Sequence, residues 1–285
     1  MSPNLSRRIL VAAIGIPAAL GIVYLGGWVL VVLVAIFAVV GTQEIFALAE
    51  RGGVRAVRGV GFLAAAALPI GVYVWMSREG PSALQVALAG AVWIIVVMSA
   101  VMAGRSPQDR PLSVVAVTVL GPAYAGGMPA FILVLRHGWD TPSAAAATAL
   151  VFLPLVVTWL CDTLAMAGGA VVGGAKLAPV LSPNKTWAGA VSGSIAAVIA
   201  APLYGALVLE PFGVGAGAGW LALFGLVIAV VGQAGDVAES LLKREAGVKD
   251  SGKFFPGHGG VLDRFDSLYW VLPTSVLLLG GLGIL

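Results

Sequence analysis

GQAGDVAESLLKREAGVKDSGKFFPGHGGVLDRFD, residues 232–266, sets eleven formal charges at the junction of two long apolar runs, 220–242 and 262–283. On a helix, Asp236, Glu239, Ser240 and Lys243 fall at i, i+3, i+4 and i+7 and share one face. That makes a polar stripe where a membrane helix would otherwise present apolar side chains. A loop rich in Gly and Lys follows, and Asp263, Arg264 and Asp266 come where the chain turns apolar again. Carboxylates at both edges, with lysines and arginines between them, suit a metal and a phosphate; a solvated loop between helix-capping charges is the plain alternative.

The rest of the chain supplies the setting. Its 285 residues are 60% hydrophobic and 10% charged, and the mean hydropathy is +1.02. Soluble domains of this size carry far more charge. Apolar runs long enough to span a bilayer as helices recur throughout, and the period-two alternation of a membrane β-barrel is absent. The fold class expected is all-α: a polytopic integral membrane helical bundle with about nine transmembrane helices. The spans drawn are 9–24, 28–48, 60–76, 83–102, 112–135, 144–171, 187–209, 220–242 and 262–283. The fifth, with Pro122 and Gly126-Gly127, and the sixth, long and Gly-rich toward its end, are the two candidates for a broken or re-entrant segment. The start, a charged stretch before an apolar run, has a signal-peptide layout but no clear cleavage site, so 9–24 is read as a retained helix.

Orientation follows from the basic residues. With a cytoplasmic N-terminus, fourteen of the sixteen lysines and arginines fall on the cytoplasmic side, and only Arg78 and Arg136 lie opposite. The organisation expected is one continuous membrane domain. Residues 1–110 form N-terminal transmembrane helices, and 111–285 a catalytic half with cytoplasmic loops 172–186 and 243–264. Glycine, at 39 residues, is spaced with other small residues, as at Gly189 and Gly193, which fits close helix packing and permits a homodimer. The single cysteine, Cys161, excludes an intrachain disulfide and a cysteine-cluster metal site. No nucleic-acid partner is expected.

Two more groups of polar residues stand out. Asp162 lies within the sixth span, where a lipid-facing carboxylate costs about 3 kcal/mol, so it should face protein, water or a cation. The loop 173–187, GGAKLAPVLSPNKTW, places Thr186 to cap the seventh helix, whose first amides can receive an anion such as phosphate. Lys176, Lys185 and Ser182 are placed to complete that site, although a short turn with ordinary cytoplasmic lysines reads equally well. The GGAVVGGAK run is no P-loop, since Ala175 precedes Lys176 where a glycine is required and no strand comes before it.

Ser240-Leu241-Leu242-Lys243-Arg244, then Lys249-Asp250, then His258-Gly259-Gly260-Val261-Leu262-Asp263-Arg264-Phe265-Asp266 closely resembles the signature of the phosphatidate cytidylyltransferases, or CDP-diacylglycerol synthases. Both patterns, S-x-x-K-R-x4-K-D and H-G-G-x-x-D-R-x-D, are present at full spacing. Ser182-Pro183-Asn184-Lys185-Thr186-Trp187 and Asp162 resemble the family's upstream motif. Ala188 stands where many members carry Glu or Gln, and Ala175 where many carry Gly. The specific resemblance covers about 155–267; the first 110 residues match only as membrane helices.

The resemblance implies transfer of cytidylyl from CTP to phosphatidic acid in the bilayer, giving CDP-diacylglycerol and pyrophosphate at the cytoplasmic face of the cell membrane. It implies Mg²⁺, with K⁺ as a candidate second cation. Asp236 and Asp263, taken to lie at the ends of the two helices flanking the loop, are the expected metal ligands and, with Lys243 and Arg264, the expected catalytic set. Substrate binding falls to Asp162, Lys176, Ser182, Asn184, Lys185, Thr186, Ser240, Arg244, Lys249, His258 and Asp266. Lys253 joins the cations divided between the triphosphate and the lipid phosphate, and Glu239 is a candidate for orienting them. The roles of Asp250 and of Glu44, a carboxylate within the second span, stay open. A polyprenol kinase using CTP is the nearest alternative. A transporter with Glu44, Asp162 and Asp236 along its path would call for inverted internal symmetry, which the sequence lacks.

Overall fold

A computed structural model describes residues 15, 17–76, 82–255, 257 and 259–281. The described residues are predominantly helical, as expected of an all-α membrane protein, and seven described helices are long and apolar enough to cross a bilayer. These are α1 (Gly27–Arg51), α2 (Arg58–Met76), α3 (Ala83–Gly104), α4 (Pro111–His137), α5 (Ala144–Val172), α6 (Trp187–Phe212) and α7 (Ala218–Glu245). A single turn, α8 (Leu262–Phe265), and a shorter helix, α9 (Leu268–Gly281), follow. Residues 9–14 and 16 of the first expected span, with Arg78 and His258, lie outside the described residues; 17–25 is helical.

The difference from nine spans also comes from the last one. The run 262–283 is not one helix: Asp266 accepts the Ser267 amide 2.7 Å away, and the chain restarts as the 14-residue α9. At 1.5 Å per residue α9 is about 21 Å long, short of the ~30 Å hydrocarbon core.

Neither candidate for a broken span is broken. In α4 the helix passes Pro122 by widening into a π-turn over Ala123–Gly127, then continues to His137. Such a bulge absorbs a missing proline N–H without ending the helix. Helix α5 runs its 29 residues unbroken through Pro154. Its glycines are used for packing: a Cβ on Gly168 would strike Ser192, and one on Gly189 would strike the Ala165 carbonyl. Small residues on both partners therefore let α5 and α6 approach closely.

The backbone packs as two compact units. One comprises 1–26, 135–241 and 265–285; the other comprises 27–134 and 242–264. In the first, α5 is the most enclosed helix, with Leu150, Leu153 and Val157 inaccessible. Within the same unit, Arg136 donates to the Val23 and Tyr24 carbonyls at 2.7 and 2.8 Å, closing the C-terminal end of the helical segment 17–25. In the second unit the fully buried Phe46 ring of α1 lies where a Cβ on Gly61 or Gly121 would be. Val54, Val97, Val101 and Val114 form a further buried cluster there.

Candidate active site

The first charged group lies wholly within the first unit. Residues 173–187, expected as a loop, form a small antiparallel hairpin of β1 (Lys176–Ala178) and β2 (Ser182–Thr186), with Lys176 opposite Thr186. Backbone pairing is the reason: the ladder, extended by the Trp187 amide on the Ala175 carbonyl at 3.0 Å, satisfies groups that an irregular loop would leave open. Thr186 caps α6 as expected. Its Oγ1 accepts the Gly189 amide at 3.1 Å, with extended backbone at φ −122°. Capping ties the direction of β2 to the helix, and Lys185 next to the cap sends its ammonium to Asp236 Oδ2 at 2.6 Å.

Asp162 on α5 is close enough to interact electrostatically with both Asp236 and Lys185. Two carboxylates and one lysine thus form a local set with a net negative charge. One turn before Asp236, Gln233 donates toward Ser194 Oγ at 3.3 Å and the Ala190 carbonyl at 3.4 Å, tying α7 to α6. Asp236 is not at a helix end, as the sequence reading had it. Helix α7 continues nine residues beyond it to Glu245, because Lys243, Arg244 and Glu245 are good helix formers and cations favour the last turn.

The second charged group lies wholly within the other unit. Lys243 Nζ meets Asp263 Oδ1 at 2.8 Å, with side chains only 12% and 7% exposed. Asp263 Oδ2 accepts from the Ser251 amide at 2.8 Å, the Ser251 hydroxyl at 2.9 Å and the Gly260 amide at 2.8 Å. Burial alone would push this carboxyl up, but the Lys243 hydrogen bond and charge, together with the two amides, hold it below the ordinary aspartate value. The sign follows for acid stability. A depressed aspartate contributes stability that is complete above its unfolded value of about 4 and is lost as pH falls through the folded value. Melting of the detergent-solubilised protein, followed from about pH 6 down to about pH 3, is expected to show the advantage of wild type over Asp263→Asn shrinking with acid.

The glycines of the signature are set by this geometry. Gly259 has φ +86°, a left-handed backbone that favours glycine, and its amide neighbour Gly260 leaves no room for a Cβ against Glu44 and Ser251. Gly260→Ala is expected to destabilise the protein by about 1–3 kcal/mol through overpacking. An unchanged melting temperature would mean that the loop yields freely at this point.

Other expected residues are placed as follows. Ser182 and Asn184 stand on β2, and Lys176 is exposed on β1. Ser240 is buried on α7, and Arg244 donates to the Val248 carbonyl at 3.0 Å just past the helix end. Lys249, Asp250, Lys253 and Arg264 are exposed. Two residues received no definite role from the sequence. Ser251 carries no signal beyond its place after Lys249-Asp250, and Glu44 carries only that of a lone carboxylate inside an apolar run.

Among the described residues no group of three or more His, Cys, Asp or Glu side chains could hold a metal. Mg²⁺ does not need one, since it commonly takes one or two carboxylates and completes its shell with water and phosphate oxygens. Asp236, beside Asp162 and holding one ammonium on one oxygen, fits that demand. Asp263 does not fit in this arrangement, because its oxygens already receive a lysine, two amides and a hydroxyl.

Fold and site define the class: an integral membrane helical protein with two carboxylate–lysine sets among its described residues. The cytidylyltransferase family profile matches residues 6–281, and the chain belongs to that family. It is 44% identical over 158 residues to a protein of Brucella abortus named phosphatidate cytidylyltransferase, covering 55% of this chain and 54% of that one. Proteins of the same name from Staphylococcus saprophyticus and Rickettsia conorii are 45% and 41% identical. Those alignments cover 45% and 46% of this chain and 48% and 56% of the respective relatives. The chain thus spans about half the length of the curated relatives it matches.

Proposed function

We propose that this protein transfers cytidylyl from CTP to phosphatidate, forming CDP-diacylglycerol and pyrophosphate at the cytoplasmic face of the cell membrane. The observation that carries the reading is the pair of carboxylate–lysine contacts, Asp236 with Lys185 and Asp263 with Lys243, both made by residues of the family-like motifs. The names of the relatives point to the same reaction.

A phosphatidate oxygen attacks the α-phosphorus of CTP in line, a new P–O bond forms, and the bond from the α-phosphorus to the bridging oxygen breaks to release pyrophosphate. Phosphate monoesters are largely ionised at neutral pH, so no strong base is needed. What the protein must provide is alignment and neutralisation of charge. Lys185, held by Asp236 and by the capped end of β2, presents a fixed cation at the start of α6. Lys243 and Asp263 order the loop that carries Lys249, Lys253 and Arg264, whose exposed cations draw in a polyanion. Mg²⁺, held by Asp236 with Asp162 beside it, would supply Lewis-acid stabilisation of phosphate oxygens. K⁺ as a second cation and a homodimeric assembly remain part of the same proposal.

The test is formation of CDP-lipid and pyrophosphate by purified protein in detergent, given CTP and phosphatidate with and without Mg²⁺, with polyprenol offered in parallel. Metal-dependent formation of both products is expected. Phosphorylated polyprenol with no CDP-lipid would transfer the assignment to a CTP-dependent lipid kinase.

A further inference from the structure

Glu44 is the one acidic residue within α1 until its last turn, and it is only 7% exposed. Among the described residues, three hydrogen-bond donors reach it from the loop more than two hundred residues later. Oε1 accepts the Val261 amide at 2.9 Å, and Oε2 accepts the Leu262 amide at 2.9 Å and the Ser251 hydroxyl at 3.0 Å. Gly252 and Gly260 both lie against its carboxyl so closely that neither has space for a Cβ. Seven residues earlier on the same face of α1, the Phe37 ring meets Phe254 and Phe255 edge-on, each at 6.2 Å. The loop is therefore held at both limbs and at its middle by one helix face.

From this geometry we infer that Glu44 is a positioning residue for the reaction proposed above: its carboxylate sets the backbone of 251–262 and thereby the placement of Asp263 and Lys243. The coupling is direct. Ser251 and Gly260, which donate to Asp263 Oδ2, sit on the segments that Glu44 grips, and the Ser251 hydroxyl lies within reach of both carboxylates with a single proton to donate. Any buried carboxylate must be satisfied; here the two successive amides and the hydroxyl that satisfy it all belong to the one loop that also supplies the donors to Asp263. Loss of the grip lets the loop shift, and a misplacement of about 1 Å at such a site costs about 10²-fold in rate.

Glu44→Gln tests this with little change in volume. The glutamine offers one acceptor and turns its NH₂ group against an amide N–H or the Ser251 hydroxyl. Expected are a fall in kcat of about 10²-fold, a smaller change in the KM for CTP, and faster hydrogen exchange at the Val261 and Leu262 amides. Glu44→Asp, which keeps both oxygens, is expected to recover about tenfold of that loss. Wild-type kcat in Glu44→Gln overturns the inference, and so does a low kcat with wild-type exchange at the two amides. If Glu44→Gln fails to accumulate, Gly252→Ala, which presses on the carboxyl without removing its charge, is expected to give the same fall in kcat; wild-type kcat there also overturns it. The exchange measurement does not depend on turnover. If wild type forms no CDP-lipid, faster exchange in Glu44→Gln still supports the grip while the proposed reaction fails, and unchanged exchange overturns both.

Discussion

Asp236→Asn is expected to lower CDP-lipid formation by about 10³-fold while leaving the fold intact. The asparagine keeps an oxygen near Lys185 and removes the charge that balances it. It also weakens the local set in which Asp162 and Asp236 jointly face one ammonium. Stability should change little, because the two side chains are 24% and 30% exposed and a partly exposed ion pair contributes about 1 kcal/mol or less. The check is a rate measured beside a melting curve, with Mg²⁺ varied. A well-folded variant with full activity at the same Mg²⁺ requirement removes Asp236 from the site.

Asp263→Asn is expected to abolish activity as well, but with a second signature. The Asp263 side chain is 7% exposed and receives four donors, so whichever way the amide turns, its NH₂ confronts either the Lys243 ammonium or the donors of Ser251 and Gly260. Breaking one side of a buried ion pair costs about 3–5 kcal/mol, and the variant should melt measurably lower than Asp236→Asn. Limited proteolysis at Lys249 or Lys253 should quicken in parallel, since these loop lysines depend on the same anchor. Equal melting of the two variants would mean that Asp263 does not hold the loop. The two aspartates then separate by role: one is a candidate metal ligand flanked by a lysine, and the other organises the loop.

The membrane character of this chain was legible because it depends on local quantities: the length of each apolar run and the rise per residue of a helix. The caps were legible for the same reason. Thr186 reaches only three residues ahead, to Gly189, so its type and position announce the start of α6. The polar stripe of α7 was visible from helical spacing, as was the signature around Asp263. What helical spacing could not supply was the end of α7 or the break before α9, since helix ends depend on which backbone groups find other partners.

The glycines of α5 illustrate the same limit. Composition reads Gly168-Gly169 as weak points, but their neighbours in space, Ser192 and Gly189, make them contact residues of an unbroken helix. A carboxylate in an apolar run signals only that something must satisfy it. For Glu44 that something is the loop more than two hundred positions away, and for Asp236 it is Lys185 at the end of a hairpin. By itself the sequence determined a helical membrane protein carrying a cytidylyltransferase signature, because hydropathy, caps and motif spacing are local. Only the tertiary structure decided which carboxylate meets which cation and which holds the loop, because those contacts exist only once helices distant in sequence have packed.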